Sequence, residues 1–121
     1  FVNRIDKFAD KKKSMNVKEM EKIYLKANFA PCPAGFFHPE SYRIYEALQC
    51  GTIPIVESVY NYFDNIYPNN PLIKIKKWSE AKEIIDTWSH AKILHKRREC
   101  FNWWNQYLSD HRNFIKKKIN E

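Results

Sequence analysis

Arg43 and Glu46 stand three residues apart in the run Tyr42-Arg-Ile-Tyr-Glu-Ala-Leu48, and Gly35, His38, Glu40 and Ser41 lie directly upstream. On a helix, residues at this spacing share a face, so the guanidinium and the carboxylate point together, away from the apolar pair Ile44 and Leu48. A cation near the start of a helix, beside free backbone N–H groups, is suited to a diphosphate. A carboxylate one turn further on can accept hydrogen bonds from ribose hydroxyls. The same spacing also describes a solvated Arg–Glu pair worth a few tenths of a kcal/mol, and spacing alone does not separate the two readings.

The elements that must position these residues are legible on either side. Phe29 to Cys32 is a short apolar run closed by Pro33 and Gly35, and Thr52 to Val56 is a second run rich in β-branched residues. Both fit buried strands. Between them, Ile44, Ala47 and Leu48 fall at helical spacing. With Pro39 at a first helical position and Gly51 stopping the helix at positive φ, the helix spans about Pro39 to Cys50. A helix of that length returns the chain to the starting edge of the sheet, so the strands are expected to be parallel. Ligands in such α/β units bind at the carboxyl ends of the strands. The loop Ala34 to His38 and the first helical turn lie at that end, where N–H groups and the helix dipole favour an anion.

Three runs in order extend this reading: Pro33-Ala-Gly35, Glu40-Ser-Tyr-Arg-Ile-Tyr-Glu-Ala-Leu48 and Gly51-Thr-Ile-Pro-Ile-Val-Glu57. Together they resemble the donor-nucleotide signature of exostosin-like glycosyltransferases, which have the GT-B fold. Adding Pro71-Leu-Ile-Lys-Ile-Lys-Lys-Trp78 and the stretch from Arg97-Arg98 to Trp103-Trp104, the order and spacing are similar to the end of the ribitol-phosphate xylosyltransferase family. This resemblance covers about residues 24 to 119.

The resemblance implies inverting transfer of xylose from UDP-xylose to a glycan or glycoprotein acceptor carrying ribitol phosphate, as in the extension of phosphorylated O-mannose glycans. Arg43 would then contact the donor diphosphate and Glu46 the ribose. The loop from Gly35 to Ser41, with His38 and Glu40, would face the phosphates and sugar. It further implies metal independence, no cofactor beyond the UDP-sugar substrate, and a base on a missing N-terminal GT-B domain. An isolated fragment would be inactive. Members of animal origin are anchored in the Golgi membrane, facing the lumen, by a segment that would lie outside this chain. Two departures stand out. The loop Phe36-Phe37-His38-Pro39 is bulkier than the small-residue loop of many such enzymes, and Cys50 falls where the pattern is loose.

The composition sets bounds. At 121 residues the chain supports one modest α/β domain, a Rossmann-like parallel sheet with flanking helices, and a two-domain GT-B enzyme needs more. We therefore read it as the C-terminal, donor-binding half of a larger protein. Its net charge of +7 raises nucleic acid as a partner. Against that, Lys11 to Lys13 and Lys116 to Lys118 sit in end segments, and the other cations are spread among Asp and Glu. Cys32, Cys50 and Cys100 form no CxxC pair, which leaves buried thiols, with a Cys32–Cys50 disulfide open in a secretory compartment. There is no Asp-x-Asp metal motif.

For the remaining chain, residues 1–15 read as a linker or frayed helix and 16–121 as the donor domain. Val17 to Ala27 is an amphipathic helix, capped by Asn16, expected to pack beside the Phe29 strand. Ser58 to Pro71 reads as a long loop in which Tyr60 or Tyr62 could stack on a uracil. Leu72 to Ile75 is a third strand, Ser79 caps a helix, and a long amphipathic helix starts near Ser89 or His90. Its exposed aromatics would meet the other domain. Besides the transferase reading, a noncatalytic nucleotide-binding module and a basic nucleic-acid-binding domain remain open.

Overall fold

A computed structural model describes residues 16–35 and 37–121, so the expectation for residues 1–15 lies outside the described residues. The elements run α1 (Val17–Lys26), β1 (Phe29–Cys32), α2 (Tyr42–Gln49), β2 (Ile53–Glu57), α3 (Tyr62–Ile66), β3 (Ile73–Ile75), α4 (Trp78–Thr87) and α5 (His90–Ile119). The strands form one parallel sheet in the order β1-β2-β3. This is the α/β architecture expected from the sequence.

In the centre, β2 is a continuous apolar run with Ile53, Ile55 and Val56 fully buried, as a parallel strand covered on both faces should be. Pro54 is tolerated there for a specific reason. Pairing with β3 begins only at Ile55, so at Pro54 the strand has β1 as its one neighbour, and the missing N–H breaks no second ladder. α2 packs on β1 and β2, α5 packs on α2 and β2, and α4 packs on β3. Ile93, Cys100 and Trp104 carry the buried side of α5.

The end of α2 follows the expected glycine logic. Gly51 has φ +69°, its N–H donates to the Leu48 carbonyl, and the Thr52 N–H donates to that of Ala47. These two bonds make a Schellman motif, which satisfies carbonyls the helix leaves open. α5 locks this corner: Arg97 Nε donates to the Gly51 carbonyl at 2.8 Å.

Four points differ from the sequence reading. α2 starts at Tyr42, with Pro39 outside it, because Ser41 is extended (φ −136°, ψ 159°) and a hydrogen bond from Gly35 N–H to the His38 carbonyl holds the preceding residues in a turn. The Ser58–Pro71 segment contains α3, with Phe63 buried beneath it. α1 leans on α2 and has no buried residue, Val17 being 81% exposed; its link to the sheet corner is Thr52 Oγ1 donating to the Tyr24 carbonyl. α4 begins at Trp78, ahead of Ser79, because the Glu80 side chain takes over the capping.

Glu80 Oε2 accepts the backbone N–H groups of Lys76 and Lys77 at 2.6 and 2.7 Å, and these bonds hold its carboxyl below the usual glutamate range. A folded-state pKa that is depressed contributes stability above the unfolded value and loses it as pH falls through the folded one. The melting-temperature gap between wild type and Glu80→Ala should therefore be open at neutral pH and close on acidification below the carboxylate range. A gap that stays constant with pH would show that the carboxylate is not the cap.

Candidate functional site

β1 and β2 deliver two loops to the carboxyl end of the sheet: Pro33 to Ser41 before α2, and Ser58 to Asn61 before α3. Gly35 anchors the first loop through its 2.8 Å bond to the His38 carbonyl. A Cβ on Gly35 would lie 3.2 Å from the Glu40 carbonyl and 3.3 Å from that of His38, so the turn is built around a residue without a side chain. His38 is exposed at its tip. Ser41 sits at the start of α2 with its Oγ buried and unpartnered among the described residues, making no capping bond.

α2 divides the sequence-predicted residues between two flanks. On one, Arg43 is exposed and Glu46 half-buried, with the Tyr24 hydroxyl of α1 donating to Glu46 Oε2 at 3.4 Å. Burial, then the Glu46 carboxylate, push the Tyr24 phenol up to about 12. Burial also pushes the Cys32 thiol up to about 12, with the Arg43 guanidinium opposing it, which places Arg43 within electrostatic reach of the end of β1. A cleft of about 390 Å³ opens here between α1 and α2, lined by Met20, Tyr24, Glu46 and Gln49.

On the other flank, Glu40 does not join Arg43 and Glu46. Its two carboxylate oxygens accept the hydroxyls of Tyr62 and Tyr67, each at 2.8 Å, and the Tyr67 hydroxyl also bonds that of Tyr45. Beside this network lies a mainly apolar cavity of about 530 Å³ lined by Phe37, Pro39, Val59, Tyr60, Tyr62 and Ile66. Tyr60, 94% exposed and at positive φ, stands on its rim. Sequence reasoning named Tyr60 and Tyr62 but missed Tyr67 and the network, because Glu40 and Tyr67 are 27 residues apart and no local pattern joins them.

The cysteines are all free. Cys32 is level with Val56 near the carboxyl end of the sheet, whereas Cys50 precedes Ile53, which pairs with Phe29 at the opposite end. At about 3.3 Å per residue the two lie roughly 10 Å apart along the strand direction, too far to bridge. The disulfide left open by the sequence is thus not formed. Burial raises all three thiols, with Cys32 and Cys100 reaching about 12 and both fully buried, while Cys50 is half-buried. Iodoacetamide on the native protein should label Cys50 first and reach the other two only on unfolding; equal labelling of all three would contradict the packing.

Among the described residues no cluster of three or more His, Cys, Asp or Glu could hold a metal ion, and no helix is long and apolar enough to cross a membrane.

The sequence that builds this glycine turn, helix start and Arg/Glu pair has a relative among known proteins. The chain is similar to ribitol-5-phosphate xylosyltransferase 1 of Mus musculus, at 27% identity over a match that covers 78% of this chain and 25% of that protein. It thus spans about a quarter of the length of the curated relative it matches. No solved structure matches at a significant level. The family model described as the RXYLT1 C-terminal domain matches residues 1–121, and the chain belongs to that family.

Proposed function

We propose that this chain is the donor-nucleotide half of an inverting GT-B glycosyltransferase that binds UDP-xylose for transfer to a ribitol-phosphate acceptor. What carries the reading is the place of Arg43: in the first turn of α2, beside the Gly35–His38 turn at the carboxyl end of β1, in a chain of this family. The guanidinium and the N–H groups at the start of α2 supply positive charge for the diphosphate as it leaves. Glu46, one turn on, accepts from the ribose hydroxyls, displacing the long Tyr24 bond. Tyr60, at the rim of the larger cavity, offers its ring to the uracil. The base that deprotonates the acceptor hydroxyl belongs to the N-terminal domain, and transfer needs no metal. The reaction belongs to the Golgi lumen, where such acceptors are extended.

Calorimetric titration of the full-length protein with UDP tests the reading. Binding should be weakened in Arg43→Ala and in Glu46→Ala, and a wild type that does not bind UDP would overturn it. UDP binding without xylose transfer would favour the noncatalytic module. Steeply salt-dependent binding to DNA or RNA, insensitive to both substitutions, would favour a nucleic-acid domain.

A further inference from the structure

The cavity bounded by Phe37 and Pro39 on one side and Tyr60 and Tyr62 on the other is made from two separate segments, the loop before α2 and the segment running into α3. No backbone hydrogen bond joins them among the described residues. Their connection runs through Glu40. One carboxylate oxygen accepts the Tyr62 hydroxyl, whose ring lines the cavity, and the other accepts the hydroxyl of Tyr67. Tyr67 is 8% exposed and is itself fixed: its ring packs edge-on against Trp103 and Tyr107 of α5, at 6.2 and 5.6 Å between centroids. Its hydroxyl also meets that of Tyr45 on α2.

We propose that Glu40 is a positioning residue that clamps the two walls of this cavity to the α2–α5 core, and that it does not itself touch the nucleotide. Both of its oxygens are already engaged by phenol donors, and a carboxylate turned toward a diphosphate would repel it. Pro39 adjoins Glu40 in the chain, so holding Glu40 to Tyr62 sets the separation of the two walls directly. Bonds to a charged acceptor are the stronger kind, so one side chain suffices to order two loops. The role in nucleotide binding rests on the donor reading above; the clamp itself does not.

The test has two arms on the full-length protein. In the first, without ligand, Glu40→Ala and the double variant Tyr62→Phe/Tyr67→Phe should each raise hydrogen–deuterium exchange in residues 58–67, relative to α5 as an internal reference. The phenylalanine pair keeps the ring packing, so a folding failure in Glu40→Ala leaves this arm intact, and unchanged exchange overturns the clamp. In the second, Glu40→Ala and the phenylalanine pair should each weaken UDP binding by about 10-fold, and the triple variant should be no weaker than Glu40→Ala alone. Glu40→Gln, which can keep a bond to each phenol, should restore most of the affinity. If the phenylalanine pair binds UDP normally while Glu40→Ala does not, Glu40 contacts the nucleotide and the proposal fails. A wild type that ignores UDP sinks the donor reading, while the exchange measurements still decide the clamp.

Discussion

Replacing Trp104 with alanine is expected to destabilise the fold by about 3–5 kcal/mol, a large share of the roughly 5–15 kcal/mol that holds a typical domain together. Trp104 is 7% exposed and is the last buried residue along α5. Its ring lies 5.7 Å from that of Tyr45 on α2 and stacks on Tyr107 at the same separation. Truncation empties the space between α5 and the helix that carries the site residues, and the surrounding rings are too rigid to refill it. Urea denaturation should show the midpoint falling with little change in slope. Trp103→Ala is the control: its ring is only half-buried, and although it loses a 3.2 Å bond from Nε1 to the Pro68 carbonyl and ring contacts with Tyr67 and Tyr107, it leaves no buried cavity, so its effect should be smaller. Equal losses would mean that α5 is held by its rim and not by Trp104.

The second large effect is on binding. Arg43→Ala should weaken UDP binding by about 1.5–3 kcal/mol, the usual range for a hydrogen bond to a charged partner, which is roughly 10- to 150-fold. Because Arg43 is exposed, the melting temperature should hardly move. Two comparisons sharpen the result. Uridine lacks the diphosphate, so the penalty should disappear when it replaces UDP. Arg43→Lys keeps the charge but not the planar fork, so it should recover only part of the loss. A penalty that persists with uridine would place Arg43 against the nucleoside and overturn its assignment to the phosphates.

The parts of the fold that were readable from sequence are those specified by neighbours in the chain. Asn16 and Glu19 form a reciprocal capping box at α1, Gly51 takes positive φ, and Ser89 Oγ accepts from Lys92 N–H at the start of α5. Each is a local rule with a local cause. β1 likewise falls where the apolar run Phe29 to Cys32 placed it.

What escaped depends on contacts that no short window contains. Pro39 is suited to a first helical turn, but the Gly35–His38 bond captures the loop and delays the helix to Tyr42. Ser79 looks like a cap, yet the longer Glu80 side chain reaches back to two N–H groups and moves the start to Trp78. α3 hides among tyrosines and asparagines because it is stabilised from outside, by Phe63 in the core and by Asn70 Nδ2 donating to the Phe63 carbonyl at 3.2 Å. The same limit applies to the site. Arg43 and Glu46 were paired by helical geometry alone, whereas assigning Glu40 to its tyrosines requires knowing that a residue 22 positions on, Tyr62, folds back over it.

The helix α5 is anchored along only part of its length. From Ser109 onward every residue is exposed, including Phe114, Ile115 and Ile119. A helix shorter than about 12–15 residues is marginal in water on its own, so the stretch from Ser109 to Ile119 could not start itself. It borrows a ready-made nucleus from the turns pinned by Ile93, Cys100 and Trp104, and adds residues by propagation, which fixes each one at the gain of a bond. The order of this stretch is thus borrowed from the grip at Trp104, and loosening that grip should unwind it before the buried turns.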